Sequence, residues 1–320
     1  MKTVIVTGGT GLVGRVLVKK LLQQDYKVIV LTRDKTKDQK IRDGSIYSYW
    51  NIETGELDTT VLSNADAVIH LAGAGVADKR WSAKRKQEIL DSRTKSGYLL
   101  SEHLLKRAVP LKVFLSASAI GWYGADPRIP NPIPFTEAQP PANDFLGNTC
   151  YQWELSTQRL LQAGIRTVYL RTGIVLSNEA GALPEFKKPL KMRLAAIPGN
   201  GKQLISWIHI DDLADLYITA MQKETYAGVY NAVAPEPVPC KTLVLMLAKE
   251  RCGSSFMKVY VPAWVLRLML GEMSIEVLKS TTVSAQKITD TGFRFRFPVI
   301  QQALQDLAGN GSLAEQQPGM

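Results

Sequence analysis

A glycine-rich turn near the start of the chain constrains its fold more than any other feature. Residues 4–17 read VIVTGGTGLVGRVL, a β-branched run followed by glycines at positions 8, 11 and 14 and then by a helical pattern. Gly8 permits the tight turn that leaves the strand, Gly11 lets the backbone approach a pyrophosphate, and Gly14 lets the helix lie close to the sheet. The free N–H groups that begin such a helix attract phosphate. The sequence therefore predicts a dinucleotide site.

Strand-like and helical stretches alternate through the first half of the chain. They are Thr3–Thr7, Val13–Gln23, Lys27–Thr32, Ala67–Leu71, Lys84–Arg107, Lys112–Ser116, Cys150–Gln162 and Thr167–Arg171. Such alternation builds a parallel sheet with helices on both faces. We therefore expect an α/β protein with a Rossmann doubly wound parallel sheet and a smaller carboxy-terminal substrate lobe.

The same patterns predict how the chain divides into domains. We expect a cofactor-binding Rossmann domain over residues 1–176, to which residues 205–232 return, and a substrate lobe that occupies most of 177–308. Residues 309–320 are small and polar, which predicts a disordered tail.

Composition narrows the class of protein. No stretch approaches the roughly 18 apolar residues of a membrane span, and the amino terminus lacks a signal-peptide layout, so we expect a soluble cytoplasmic protein with no membrane partner. The three cysteines have no metal-ligand spacing, so no metal site is predicted. The formal charge of +10 accompanies no nucleic-acid motif. A solvated basic face, or attraction of a phosphorylated cofactor, is favoured over nucleic-acid binding. Oligomeric state and substrate stay open.

The end of the second predicted strand indicates which nicotinamide cofactor the protein binds. NAD-binding folds place an acid there for the ribose 2′-hydroxyl, whereas a 2′-phosphate suits an arginine. Here Thr32 occupies the acid's position and Arg33 follows, which favours NADP(H). Asp34 is the competing feature, because a shift of one residue returns an acid to the ribose. A plain surface arginine is the alternative interpretation of Arg33.

Several motifs together resemble an extended short-chain dehydrogenase/reductase. They are TGGTGLVG at 7–14, HLAGA at 70–74, FLSAS at 114–118 leading to Tyr123-Gly124, and WIHIDD at 207–212. Arg80-Trp81, Ser92-Arg93, Cys150-x-x-Trp153-Glu154, RTGIVL at 171–176 and a segment from Gly271 to Pro298 are similar to the "epimerase family protein" branch, which includes family 39U. The resemblance covers residues 1–307.

The resemblance implies that the NADP(H) site is lined by Thr32, Arg33, Leu71, Ala72, Glu88, Arg93 and Val175. The glycine turn and the small residues after the strand at 67–71 add Gly8, Thr10, Gly11, Leu12, Val13, Gly14 and Gly73. Glu88 and Arg93 share one side of a predicted helix, where they either bracket a ribose or form an ordinary interaction within the helix.

The catalytic residues depart from the superfamily pattern. Typical members use Tyr-x-x-x-Lys, in which the lysine stabilises tyrosinate. No tyrosine here has lysine four residues later, and Cys150 and Glu154 stand at the corresponding place. A carboxylate opposes thiolate formation, so this pair cannot simply replace tyrosine and lysine.

Three residues are candidates for the chemistry. Ser118 stands at the superfamily's serine position, where a hydroxyl group can donate to a carbonyl oxygen that gains charge. Tyr123 is an alternative proton donor, and Glu154 is a candidate acid or base if desolvated. Each also has a purely structural interpretation.

Two functions therefore remain open. One is an NADP(H)-dependent oxidoreductase or epimerase-like enzyme acting on a small molecule. The other is a non-catalytic NADP(H)-binding sensor.

Overall fold

The computed structural model describes residues 2–309, so all but the first residue of the predicted disordered tail lies outside the described residues. The strands are β1 (Thr3–Thr7), β2 (Lys27–Thr32), β3 (Ile41–Arg42), β4 (Ser45–Asn51), β5 (Glu56–Leu57), β6 (Ala67–His70), β7 (Val113–Ala119), β8 (Thr167–Thr172), β9 (Ile174–Leu176), β10 (Leu194–Pro198), β11 (Leu204–Ile205), β12 (Trp207–His209), β13 (Gly228–Ala232), β14 (Val238–Pro239) and β15 (Met257–Val261).

The helices are α1 (Leu12–Gln23), α2 (Thr59–Ser63), α3 (Ala83–Leu105), α4 (Phe145–Gln162), α5 (Ala182–Leu190), α6 (Ile210–Gln222), α7 (Cys240–Cys252), α8 (Ala263–Leu270), α9 (Ser274–Leu278), α10 (Gln286–Asp290) and α11 (Ile300–Ala308). The chain forms two compact units. The first comprises Met1–Gly124, Glu137–Thr172 and Leu213–Ala232; the second comprises Ala125–Thr136, Gly173–Asp212 and Val233–Met320.

The first unit is built on one large sheet with the strand order β13-β8-β7-β6-β1-β2-β4-β3, and β5 pairs with β4. Strands β4, β2, β1, β6, β7, β8 and β13 run parallel, while β3 and β5 pair antiparallel with β4. The order reverses at β1, which is the switch point where such folds bind ligands. The predicted Rossmann doubly wound sheet is confirmed.

The core of this unit follows from the apolar runs of its central strands. Val4, Ile5 and Val6 of β1 are at most 1% exposed, as expected for a strand covered on both faces. On one side of the sheet, Ile5 and Phe114 belong to a buried cluster that also contains Leu100 of α3. This packing joins α3 to β1 and β7.

The second unit contains three small sheets, in which β9 pairs with β12, β10 with β15 and β11 with β14. Its core includes Trp207, Leu243 and Leu304. The proline-rich residues 126–136 contain no helix or strand. They are held by Asp126, whose carboxylate accepts hydrogen bonds from Thr282 N at 2.9 Å and Thr282 Oγ1 at 2.7 Å.

The observed units differ from the predicted domain bounds at three places, and the largest difference is Ala125–Thr136, which we expected in the first domain and which belongs to the second unit. The first unit ends at Thr172 and resumes at Leu213, whereas we expected 176 and 205. The reason is that β9 pairs with β12 and not with the large sheet, so residues 173–212 group with the second unit.

Candidate functional site

The glycine turn joins β1 to α1. Gly8 has a φ of +67°, a backbone conformation that residues with a side chain rarely adopt. A Cβ added there would also lie 2.8 Å from the carbonyl carbon of Leu71. The Gly11 N–H donates to Gly8 O at 2.9 Å and closes the turn. Gly11 is then the N-cap of α1 and is exposed, so the first N–H groups of the helix follow directly after it.

The third glycine, Gly14, packs against the backbone of the turn that follows β1. A Cβ on Gly14 would lie 2.2 Å from Gly8 O and 2.6 Å from Gly9 Cα, so this residue lets α1 close on its own turn. A Cβ on Gly11 would meet Gly8 O at 3.2 Å, which is only a tight contact. Among the other predicted residues here, Thr10 is exposed, and Leu12 and Val13 form the first turn of α1.

A hydroxyl group ties the glycine turn to the loop after β6. Thr7 Oγ1 accepts hydrogen bonds from Leu71 N and Ala72 N, both at 3.1 Å. Its own proton is therefore directed to His70 Nδ1 at 2.8 Å, and His70 Nε2 faces Ser96 Oγ at 3.3 Å. Burial lowers the pKa of His70 to about 4, so its ring is neutral at neutral pH.

The end of β2 presents an exposed arginine. Thr32 is buried, and its hydroxyl group accepts a hydrogen bond from Asp34 N at 3.2 Å; Arg33 between them is exposed. Asp34 accepts from Thr36 N at 3.1 Å and from Thr36 Oγ1 at 2.7 Å, and it pairs with Lys37 at 3.2 Å. These contacts, with Thr36 the largest cause, hold the pKa of Asp34 below its usual range. The competing acid is thus engaged by its own turn.

Glu88 and Arg93 of α3 have different partners. Glu88 is exposed and pairs with Arg85 at 2.8 Å, which lowers the pKa of the Glu88 carboxyl group. Arg93 is buried; its Nη1 donates to Ala74 O at 3.0 Å, and its guanidinium lies 4.8 Å from the centre of the Trp153 ring. Burial lowers the pKa of Arg93 to about 10. A Cβ added to Gly73 would lie 3.0 Å from Cζ of Arg93.

Two of the candidate catalytic residues are hydrogen-bonded directly to each other, and an arginine binds one of them. Ser118 of β7 donates a hydrogen bond to Glu154 Oε1 at 2.7 Å. Arg171 of β8, the register partner of Ser118, donates from Nε to Glu154 Oε1 at 2.9 Å and from Nη2 to Oε2 at 3.0 Å. Ser118 and Arg171 are each 2% exposed. Glu154 is thereby the charged acceptor of three hydrogen bonds.

The third candidate, Tyr123, contacts the same arginine. Its hydroxyl group accepts from Arg171 Nη1 at 3.1 Å and donates to Asn231 Oδ1 at 2.6 Å. The Arg171 guanidinium stacks 3.5 Å from the centre of the Trp122 ring, a favourable arrangement for a buried cation. Burial raises the pKa of Tyr123 to about 12. Ser118, Glu154 and Tyr123 thus share one hydrogen-bonded chain.

Cys150 lies one helical turn before Glu154 on α4 and is buried. Burial, with the Glu154 carboxylate as a second cause, raises the pKa of this thiol to about 12. The thiol is therefore protonated at neutral pH, in agreement with the expected effect of the neighbouring carboxylate.

Two residues of the chain of hydrogen bonds were not identified as site residues from the sequence. Arg171 was predicted only as the end of the strand at 167–171 and as part of the RTGIVL motif, and Asn231 only as part of residues 205–232, which return to the Rossmann domain. An arginine inside a predicted buried strand is the available signal, because a buried guanidinium requires a partner. Val175, the last predicted cofactor residue, lies on β9 in the second unit.

Comparison with known proteins identifies the family. The model of the NAD dependent epimerase/dehydratase family matches residues 4–232. The chain belongs to this family. A domain of unknown function, DUF1731, matches residues 261–307. Epimerase family protein SAR0825 of Staphylococcus aureus is 36% identical over 312 residues, which cover 96% of this chain and 99% of that protein. The resemblance stated from the sequence motifs is confirmed.

Solved structures agree with this assignment. Human epimerase family protein SDR39U1, solved with NADPH, matches with a TM-score of 0.82 and 26% identity over 96% of this chain and 99% of its own. UDP-glucose 4-epimerase of Thermotoga maritima, solved with UDP-glucose, has a TM-score of 0.77 and 21% identity over 96% of this chain and 98% of its own, and shares the fold.

Within residues 2–309, no helix is long and apolar enough to cross a membrane.

Proposed function

We propose that this protein is an NADP(H)-dependent oxidoreductase, or an epimerase that uses the cofactor transiently, and that it acts on a small molecule. The observation that carries the proposal is the glycine turn. Gly8 adopts a positive φ, Gly14 closes α1 onto that turn, and the exposed Gly11 precedes the free N–H groups of the helix. Family membership and the human relative solved with NADPH support the same cofactor class.

The residues present fit such a cofactor. The N–H groups after Gly11 would hold the pyrophosphate, and the exposed Arg33 would contact a 2′-phosphate. The loop at Leu71–Ala72, fixed by Thr7, would let the cofactor approach the backbone. When bound, NADPH supplies a hydride. The remaining predicted residues, among them Glu88, Arg93 and Val175, are part of this proposal.

We assign the polar groups of the reaction to Ser118 and Glu154, with Tyr123 joined to them through Arg171. The first unit is proposed to hold the cofactor and the second to form the substrate lobe. The proposal includes a cytoplasmic location, which the three free cysteines of the described residues fit.

Transfer of label tests the proposal. The protein is mixed with stereospecifically deuterated NADPH and a fractionated metabolite extract, and products are analysed by mass spectrometry. We expect deuterium in at least one product, and loss of that transfer in Gly11→Val. Binding of NADPH without label transfer to any fraction would contradict an enzymatic function.

A non-catalytic NADP(H) sensor is the second candidate. The specific observation in its favour is the buried, protonated thiol of Cys150 at the place where the superfamily has its tyrosine. A sensor would bind NADPH tightly and transfer no label, so the same experiment distinguishes the two functions.

A further inference from the structure

The direction of the Ser118 hydroxyl proton decides whether this group donates a hydrogen bond to a ligand or accepts one from it. Glu154 faces the Arg171 guanidinium through two contacts of 2.9 and 3.0 Å, the geometry of an ionised carboxylate. An ionised carboxylate only accepts hydrogen bonds, so Ser118 is the donor in the 2.7 Å contact with Oε1. With its only proton used in this contact, the Ser118 oxygen has lone pairs left for a ligand. It can therefore accept a hydrogen bond from a ligand but not donate one.

The Tyr123 hydroxyl group is committed in the same way. It accepts a hydrogen bond from Arg171 Nη1 at 3.1 Å and gives its proton to Asn231 Oδ1 at 2.6 Å. Asn231 is held in turn through its backbone N–H, which donates to Glu137 Oε1 at 2.8 Å. Delivering the Tyr123 proton to a ligand would break the shortest of these contacts. While Glu154 is ionised, the Ser118 proton is committed to Glu154 and the Tyr123 proton to Asn231, so neither hydroxyl group is arranged to donate to a carbonyl oxygen.

Ser118 is placed where a reacting oxygen is expected. It lies near the carboxyl end of β7. The neighbouring strand β6 ends in the loop at Leu71–Ala72, and β1, on the far side of β6, ends in the glycine turn. The carboxyl edge of a parallel sheet at a switch point is where ligands bind in such folds. The hydroxyl acceptor and the proposed cofactor loops therefore lie along the same edge.

We propose that Glu154, acting through Ser118, is the base that removes the proton from a substrate hydroxyl group, in place of the tyrosine of the superfamily. This proposal rests on the proposed function. The substrate O–H bond breaks and its proton passes to Ser118 Oγ, while the Ser118 proton passes to Glu154 Oε1. The carbon that bears the oxygen loses a hydride to NADP⁺, and the products are a carbonyl compound, NADPH and a protonated Glu154. In the reverse direction the same relay returns a proton to the oxygen.

Arg171 is a positioning residue in this relay. Its fork sets the orientation of the Glu154 carboxylate so that Oε1 also meets Ser118. Loss of the guanidinium should therefore lower kcat more than it raises the substrate KM.

A neutron structure of deuterium-exchanged crystals tests the proton arrangement without any substrate. We expect a deuteron bonded to Ser118 Oγ and directed at Glu154 Oε1, with a bare carboxylate. A deuteron on the Glu154 carboxyl group, or a Ser118 deuteron directed elsewhere, would overturn the relay whatever the protein catalyses.

The kinetic test uses NADP⁺ with fractions of a metabolite extract and follows NADPH formation. Ser118→Ala and Glu154→Gln should each lower kcat/KM by about 100-fold or more, and Arg171→Lys should recover part of the loss in Arg171→Met. Ser116→Ala, two residues earlier on the same strand, is the matched control and should resemble the wild type. NADPH formation that survives Glu154→Gln would overturn the relay and leave the oxidoreductase proposal standing. Tight NADPH binding with no transfer in either direction would overturn both.

Discussion

Glu154 of α4 and Arg171 of β8 form a bidentate ion pair in which both side chains are nearly excluded from solvent, with 11% and 3% of their surfaces exposed. The superfamily pattern places a lysine where Glu154 stands. In this chain that position carries the negative charge, and the cation comes from a neighbouring strand. The site therefore keeps a buried cation but obtains it from a different part of the sequence.

Because of this ion pair, a lysine at position 154, as in the superfamily pattern, should destabilise the fold. In Glu154→Lys two cations would face each other in a buried site, and removing one partner of a buried pair typically costs about 3–5 kcal/mol. We expect a loss in the free energy of unfolding of at least that size, measured by urea denaturation. Glu102→Lys, an exposed site on α3 paired with Lys106, is the control and should change stability far less. Equal losses in the two variants would argue against a structural role for the pair.

Arg33 should determine the choice between the two nicotinamide cofactors. Its exposed guanidinium can form a charge-assisted fork with a 2′-phosphate, so NADPH should bind at least about tenfold more tightly than NADH, a difference of roughly 1.4 kcal/mol. Arg33→Ala should abolish the difference, and the exposed Arg42→Ala should not. Titration calorimetry measures both affinities. Equal affinities in the wild type would refute the assignment.

Substitutions of Gly11 and Gly14 should have different effects, the first on NADPH binding and the second on the stability of the fold. Gly11→Val adds a branched side chain at an exposed position where the Cβ meets Gly8 O at 3.2 Å, so the fold should survive while NADPH no longer raises the melting temperature. Gly14→Ala places a Cβ 2.2 Å from Gly8 O, so the apoprotein itself should melt earlier. Thermal melts of both variants with and without NADPH test this. A normal NADPH shift in Gly11→Val would contradict the phosphate assignment.

His70 should make the protein less stable in mild acid. Its pKa is about 4 in the folded protein because of burial, against 6.5 in the unfolded chain, so between these values the unfolded state binds a proton that the folded state does not. The resulting stability is fully present above pH 6.5 and is lost as the pH falls towards 4. The loss is about 3 kcal/mol. Denaturation across this pH range should show the decline in the wild type and in His103→Asn, and a weaker one in His70→Asn.

The parts of the fold that could be predicted are those in which local sequence and buried environment agree. The runs Val4-Ile-Val and Val28-Ile-Val-Leu are apolar throughout because both faces of β1 and β2 are covered. By contrast, β4 has Ser45 and Ser48 at buried positions, so its polar residues obscure the strand. The start of α4 was placed at Cys150, five residues late, because its N-cap Asp144 follows a proline-rich stretch that reads as loop.

The candidate site was only partly predictable for a similar reason. Ser118, Tyr123 and Glu154 follow from motif positions, but the hydrogen bonds that join them depend on the register between β7 and β8, which places Arg171 beside Ser118. Spacing along the chain does not encode a register between strands more than fifty residues apart. The direction of the Ser118 proton depends on that same register, so only the structure could show it.

The contact between Asp126 and Thr282 has a consequence for how the protein is made. The two residues are 156 positions apart in the sequence. During translation, more than a hundred further residues must therefore be synthesised after Asp126 before its partner is available. The first unit, by contrast, has its last strand once Ala232 has been translated. Domains generally fold as their sequences are completed. The large sheet can therefore assemble during synthesis, whereas the proline-rich segment reaches its final place only after Thr282 has been translated.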